Sequence, residues 1–130
     1  MSNDPAKFSI KARLKSFVYA WAGIIRFFRT EHNAQIHLAV TIVVVFLSFF
    51  LKINKTETVA VVFAIAFVWV TEMINTSIEK AMDFITQERH PQIKNIKDMA
   101  AGAVLIAAIV AVVIGGIVFI PKIFQYAQTP

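Results

Sequence analysis

Hydrophobic residues along this chain gather into three long runs separated by short polar connections. At a rise of about 1.5 Å per residue, these runs predict membrane-crossing helices at about residues 34–51, 58–85 and 99–120. Before them, at residues 8–28, apolar and basic side chains recur at helical spacing, which predicts an amphipathic helix on the membrane surface. Packing of that helix against its own bundle is the alternative. The pattern indicates an all-α membrane protein with a single domain over residues 1–130.

The composition supports a membrane protein and excludes several other classes. Hydrophobic residues make up 58% of the chain and its mean hydropathy is +0.67, which is more apolar surface than a small soluble domain can bury. The absence of cysteine excludes disulfides, thiolate zinc sites and a cysteine nucleophile. A net charge of +5 would suit nucleic acid, but six of the 13 Lys and Arg residues lie within the first 29 positions, beside the first apolar run. We therefore expect these charges to face a lipid bilayer and no nucleic acid.

The positive charges also predict an orientation. Lys and Arg number six before the first run, two in the Lys52–Thr58 connection, four from Lys80 to Lys97 and one in the C-terminal tail. Because positive residues are enriched on the cytoplasmic side, we expect the N-terminus and the second connection in the cytoplasm and the C-terminus outside. Within that connection, His90 and Pro91 predict the end of the second membrane helix, because proline disfavours helical backbone before it and donates no hydrogen bond.

A polar stripe follows one face of the second predicted membrane helix. At 100° per residue, Glu72, Asn75, Glu79 and Asp83 fall within a narrow arc. Counted from Thr58, Glu72 lies roughly 21 Å into the membrane, where an ionisable group costs a few kcal/mol and marks a functional site by default. A structural alternative stays open for each of two residues. For Glu72, it is a protonated acid that satisfies a neighbouring helix; for Asp83, it is a solvated charge at a helix end.

The predicted topology gathers further charged groups at the same interface, namely Glu31, Lys97 and Asp98. Clustered carboxylates suit Mg²⁺, a lysine suits a phosphate, and a carboxylate in a low dielectric is prepared to take a proton from an alcohol. These groups indicate Mg²⁺-assisted phosphoryl transfer from ATP to a membrane lipid alcohol, although P-loop and protein-kinase motifs are absent. A small membrane channel or ion or proton carrier is the main alternative, since intramembrane acids also mark ion pathways.

Two segments carry a family resemblance: Glu72-Met-Ile-Asn-Thr-Ser-Ile-Glu79-Lys-Ala-Met-Asp83 and the downstream Lys97-Asp98-Met-Ala-Ala-Gly-Ala-Val104. They resemble the prokaryotic diacylglycerol kinase family, which also contains the undecaprenol kinases of Gram-positive bacteria. The similarity runs from about Arg13 to Ile120. It implies a homotrimer in the bacterial inner (cytoplasmic) membrane, with sites formed between protomers. It also implies MgATP as phosphoryl donor and diacylglycerol or undecaprenol as acceptor.

The resemblance also implies roles for single residues. Glu72 resembles the general base, Glu31 and Glu79 the pair that binds the metal of MgATP, and Asn75 and Asp83 further groups of the reaction centre. The positions that match nucleotide contacts are Tyr19, Glu88, His90, Lys97 and Asp98. Where the family has an N-terminal arginine, this chain has Ala12, and Arg13 is the neighbouring candidate. The segments that end at Gly23 and His37 look more like the undecaprenol kinase branch.

Overall fold

The computed structural model describes residues 9–128, which form four α-helices and no strand. The helices are α1 (Ile10–Thr30), α2 (His32–Phe50), α3 (Lys55–Ile85) and α4 (Pro91–Ala127). Helices α2, α3 and α4 are each long and apolar enough to cross a membrane. The prediction of an all-α membrane protein with three spanning helices is therefore confirmed. Phe8, the first residue of the predicted surface helix, and the chain ends at residues 1–8 and 129–130 lie outside the described residues.

Helix α1 contacts the bundle mainly through its C-terminal end. It begins at Ser9, whose hydroxyl accepts a hydrogen bond from the backbone N–H of Ala12. Most of its apolar side chains are exposed, as expected of a helix that lies on a membrane surface. Phe27 is buried, and the rings of Phe27 and Phe28 pack on Trp69 of α3 with centroid distances of 6.2 and 4.7 Å. Surface exposure along most of the helix is thus combined with packing at one end.

A single non-helical residue, Glu31, separates α1 from α2. Its backbone is extended (φ −100°, ψ 121°), and it is both the C-cap of α1 and the N-cap of α2. At the other end of α2, a tight turn with Lys52 at positive φ leads to α3. There the side chain of Asn54 accepts from the backbone of Glu57 at 3.0 Å, and Glu57 accepts from the backbone of Asn54 at 2.6 Å. This reciprocal capping box fixes the start of the longer helix α3.

The connection between α3 and α4 corrects one prediction. Helix α3 ends at Ile85, the last residue of the predicted 58–85 segment, whereas His90 and Pro91, which were predicted to end this helix, instead begin α4. The His90 ring accepts a hydrogen bond from the backbone of Gln92 at 3.3 Å, and proline is well suited to the first helical position, where no intrahelical N–H bond is needed. The apolar run at residues 99–120 is therefore the centre of a longer helix.

The core of the chain lies where α3 packs on α4. Ala64 and Val68 of α3 are buried, as are Ala100 and Ala107 of α4, and these small side chains allow the two helices to approach closely. Near its middle, helix α2 is joined to α3 through Thr41, which accepts a hydrogen bond from the indole N–H of Trp69 at 3.2 Å. Many other apolar side chains are exposed, as in a protein whose solvent is lipid.

Between α2, α3 and α4 the packing leaves an elongated groove of about 370 Å³. Its lining is apolar over most of its length, with Val61 and Phe119 towards one end. The polar groups of the lining, His37, Thr41 and Trp69, stand at the other end. Trp69 is one helical turn from Glu72, so the polar end of the groove lies close to the acidic face of α3.

Candidate active site

The acidic stripe of α3 passes from the buried core to the surface. Glu72 is only 2% exposed and Asn75 only 6%, whereas Glu79 is half-buried and Asp83 is exposed. The periodicity of the sequence had placed these four side chains on one face, and the helix Lys55–Ile85 carries all of them. Because a charged carboxylate is costly in a protein interior, the burial of Glu72 needs a chemical reason beyond packing.

The two polar groups of the Asn75 side-chain amide differ in their hydrogen bonding. Its side-chain N–H donates to Oε1 of Glu79 at 3.1 Å. Its carbonyl oxygen Oδ1 is buried and accepts no hydrogen bond from any group within residues 9–128. Buried oxygens are nearly always paired, so Oδ1 is an acceptor prepared for a hydroxyl, a water molecule or a cation. It lies one turn from Glu72, where such a group would meet the carboxylate.

Helix α4 supplies a cation to the exposed end of the stripe. Lys97 donates to Oδ1 of Asp83 at 2.7 Å and lies close enough to Glu79 to interact with its charge. Asp98, the next residue, is paired with Lys94 one turn earlier on the same helix. The structure therefore brings Lys97 to the acids of α3, as the sequence predicts, and holds Asp98 on the outer side of α4, where it is exposed.

Glu31 approaches the same region from the α1–α2 junction. Its Oε1 accepts from the ammonium group of Lys80 at 2.5 Å and from the hydroxyl of Thr30 at 2.7 Å. The hydrogen bond from Lys80, with help from Thr30, holds the pKa of the Glu31 carboxyl below its usual value. Glu31 therefore stays ionised at neutral pH and is able to bind a cation.

Three predicted nucleotide contacts lie apart from this cluster. Tyr19 is exposed on α1, and Glu88 and His90 are exposed in the α3–α4 connection. The hydrogen bonds described for the connection are local: Thr86 accepts from the backbone of Glu88, and His90 caps α4. Among residues 9–128, none of these three side chains forms a hydrogen bond or an ion pair with the acids of α3.

The donor set fits a magnesium ion that is shared with a nucleotide. No three His, Asp or Glu side chains of residues 9–128 stand together as a complete metal site. Mg²⁺ in nucleotide-dependent enzymes, however, takes only one or two carboxylates and completes its shell with phosphates and water. Glu31 and Glu79 offer two such carboxylates, and the unpartnered oxygen of Asn75 is a further hard donor beside Glu79.

Two contributors to this region were missed by the sequence reasoning. Lys80 follows Glu79 but lies about 100° around the helix from the centre of the stripe, so helical periodicity alone did not include it. Trp69 had a signal, its position one turn before Glu72, yet its hydrogen bond to Thr41 and its ring contacts with α1 depend on helix packing. These two residues connect α3 to α1 and α2 beside the acids.

A four-helix membrane chain with one buried carboxylate, further acids along the same face and a lysine at one end has the features of a small integral membrane enzyme. A sequence model of the family described as prokaryotic diacylglycerol kinase matches residues 18–119 of the chain. This chain belongs to that family. It is a membrane lipid kinase, so its chemistry is ATP-dependent phosphoryl transfer, and the channel or carrier alternative is not favoured.

Curated relatives support the assignment over most of the chain. Undecaprenol kinase of Bacillus subtilis is 38% identical over 109 residues, which cover 84% of this chain and 89% of the relative. A diacylglycerol kinase of Synechocystis is 36% identical over 86% of this chain, and the matched part covers 65% of the relative's length. The diacylglycerol kinase of Pseudomonas aeruginosa is 30% identical over 87% of this chain and 94% of the relative.

Proposed function

We propose that this chain transfers the γ-phosphate of MgATP to the hydroxyl group of a membrane lipid alcohol, either undecaprenol or diacylglycerol. Undecaprenol is the acceptor we favour. In support, identity to the undecaprenol kinase of Bacillus subtilis is 38%, against 36% and 30% to the diacylglycerol kinases of Synechocystis and Pseudomonas aeruginosa. The segments that end at Gly23 and His37 also look more like the undecaprenol kinase branch. The observation that carries the chemistry is the buried carboxylate of Glu72 one turn from the unpartnered oxygen of Asn75.

Glu72 acts on the acceptor in this proposal, and Asn75 acts beside it. The lipid hydroxyl donates its single hydrogen bond to the carboxylate of Glu72, which removes the proton, while Oδ1 of Asn75 accepts from a water molecule or binds the cation beside the reaction centre. The hydroxyl oxygen then forms a bond to the γ-phosphorus, the bond from that phosphorus to the β–γ bridging oxygen breaks, and ADP leaves with the electron pair. The apolar groove that ends at Trp69 accommodates the start of the lipid chain.

The nucleotide lies on the exposed side of the stripe. We assign Glu31 and Glu79 to the Mg²⁺ ion, which neutralises phosphate charge when it is bound, and Lys97 to the phosphates. Lys97 then exchanges its contact with Asp83 for a phosphate oxygen, and Asp83 remains as a polar neighbour of the reaction centre. Tyr19, Glu88, His90 and Asp98 are assigned as nucleotide contacts on the strength of the family resemblance.

The arrangement in the membrane follows from the charges and exposed surfaces. We place the acidic cluster and the N-terminus in the cytoplasm of a bacterial cell, the C-terminus outside, and α1 on the inner surface of the cytoplasmic membrane. We further infer a homotrimer in which a neighbouring copy completes each site. This assembly is supported by the exposure of Tyr19, Glu88 and His90, which form no hydrogen bond or ion pair with the acidic cluster within the described residues of one chain.

The test uses purified protein in mixed micelles with radiolabelled MgATP and either undecaprenol or diacylglycerol at equal mole fractions. We expect phosphate transfer to both alcohols, with the higher kcat/KM for undecaprenol. Preference for diacylglycerol would overturn the choice of acceptor. Absence of transfer to any lipid alcohol, together with proton or ion flux through reconstituted vesicles, would overturn the kinase proposal.

A further inference from the structure

The contact between Lys80 and Glu31 joins two parts of the chain that are distant in sequence. The ammonium Nζ of Lys80 lies 2.5 Å from Oε1 of Glu31, and the two residues are 49 positions apart. Lys80 belongs to the turn of α3 that also carries Glu79, whereas Glu31 belongs to the α1–α2 junction. The ion pair therefore holds the carboxylate of Glu31 against the turn of α3 that carries Glu79, the other proposed metal ligand.

We propose that Lys80 is a positioning residue for the divalent cation of MgATP, acting through the carboxylate of Glu31. This inference rests on the metal role proposed for Glu31. Both donors that the carboxylate receives, Lys80 and the hydroxyl of Thr30, contact Oε1, and Oε2 receives neither of them. Holding one oxygen fixes the orientation of the carboxylate and leaves Oε2 for the cation.

The backbone of Glu31 is held on both sides, so the support that its carboxylate needs concerns the side chain alone. Its N–H donates to the carbonyl of Phe27 at 3.0 Å and its carbonyl accepts from the N–H of Gln35 at 3.2 Å, which leaves the side-chain torsions as the freedom of the carboxylate. A flexible ligand must be ordered when the metal binds, whereas a carboxylate already held by hydrogen bonds is oriented beforehand. Removing hydrogen-bond partners of metal ligands commonly weakens metal binding by about 10- to 100-fold.

The position of Lys80 argues against a merely stabilising role. Its side chain is 57% exposed, and ion pairs with so much access to water contribute little to folding. The expected effect therefore lies in metal affinity and leaves the folded state nearly unchanged. This difference separates positioning from general support of the structure.

The experiment measures Mn²⁺ binding by electron paramagnetic resonance in detergent micelles, with a non-hydrolysable ATP analogue present, so that no turnover is needed. We expect Lys80→Met to raise the Kd for Mn²⁺ by about 10- to 100-fold. Lys80→Arg should recover most of the affinity, because arginine keeps the donor and the charge. The matched control is Lys122→Met, which removes another ion-paired lysine, 3.5 Å from Glu57 at the opposite end of the bundle, and should leave the Kd unchanged.

Glu31→Gln distinguishes the metal role of Glu31 from the positioning role of Lys80. If Glu31→Gln weakens Mn²⁺ binding while Lys80→Met does not, Lys80 has no positioning role and the proposed function stands. If Glu31→Gln leaves the affinity unchanged, the metal role of Glu31 and this inference fail together. Tighter binding in Lys80→Met would show that Lys80 competes with the metal, which also overturns the inference.

Thr30→Val provides a second route to the same answer if Lys80→Met does not fold. It removes the other donor to Oε1 and keeps the size of the side chain. We expect weaker Mn²⁺ binding than in the unsubstituted protein, with a smaller change than for Lys80→Met because no charge is lost. Unchanged affinity in a folded Thr30→Val protein would overturn the inference that donors to Oε1 position the carboxylate.

Discussion

Substitution of Glu72 by glutamine tests the centre of the proposed mechanism with little change in shape. The glutamine side chain has the same length and volume, but it has no charge and does not accept a proton at neutral pH. Because Glu72 is 2% exposed, its environment is set by packing, and an isosteric neutral group should retain that packing. Removal of a buried ionisable group also removes a desolvation cost, so we expect the stability of the protein to be preserved or raised.

The size of the effect follows from the role assigned to the carboxylate. A positioned general base typically contributes 10²- to 10⁴-fold to the rate, which corresponds to about 2.7–5.4 kcal/mol in the activation free energy. We therefore expect kcat to fall by about 10²-fold or more. Binding of MgATP should change little, because the groups assigned to the metal and the phosphates lie elsewhere, on Glu31, Glu79 and Lys97.

The assay compares two measurements on the same preparation: phosphate transfer at saturating lipid alcohol, and affinity for a non-hydrolysable ATP analogue. The matched control is Glu57→Gln, an acid of the same helix roughly 22 Å away along its axis. Glu57 completes the capping box of α3 and pairs with Lys122. Glutamine also accepts from the backbone N–H of Asn54, so this control should lose only the ion pair and leave turnover unchanged. Near-normal turnover of folded Glu72→Gln would refute Glu72 as the base.

Three further predictions address the proposed metal ligand Glu79, the hydrogen bond between α2 and α3, and the packing of α4 in the core. Glu79→Gln should weaken Mg²⁺-dependent nucleotide binding, because it removes one hard anionic ligand; an unchanged titration of MgATP would count against that role. Thr41→Val leaves the indole N–H of Trp69 unpaired and should lower the unfolding free energy by about 1–3 kcal/mol in denaturant titrations. Ala107→Leu should cost about 1–3 kcal/mol, because Ala107 is fully buried, whereas Ala103→Leu, at an exposed position of the same helix, should cost clearly less; equal losses would contradict the packing described.

The helices and the acidic stripe were predictable because both depend on residues close together in sequence. Glu72, Asn75 and Glu79 share a face through helical periodicity alone, and the structure places them on one continuous helix. The burial of Glu72 was likewise indicated by its depth within the apolar run. That Lys97 meets the acids of α3 was expected from topology, and its 2.7 Å contact with Asp83 confirms it.

Local sequence was ambiguous where one signal fits two structures. His90 and Pro91 suit the end of one helix and the start of the next, because proline breaks a preceding helix and is also favoured at a first helical position. The end of α3 at Ile85 settled which applied. The charged residues at 94–98 had marked the edge of the predicted apolar run, yet they are part of helix α4. Lys94 and Asp98 form an ion pair one turn apart, which stabilises the helix there.

By itself, the sequence determined that this is a helical membrane protein and that the acids at 72, 79 and 83 lie on one face of a helix. It did so because hydropathy and periodicity depend on neighbouring residues. Only the tertiary structure decided which helices face each other, and hence that Glu31 meets Lys80 and that Trp69 meets Thr41. The physical reason is that contacts across 28 or 49 positions depend on helix packing and direction, which no local pattern encodes.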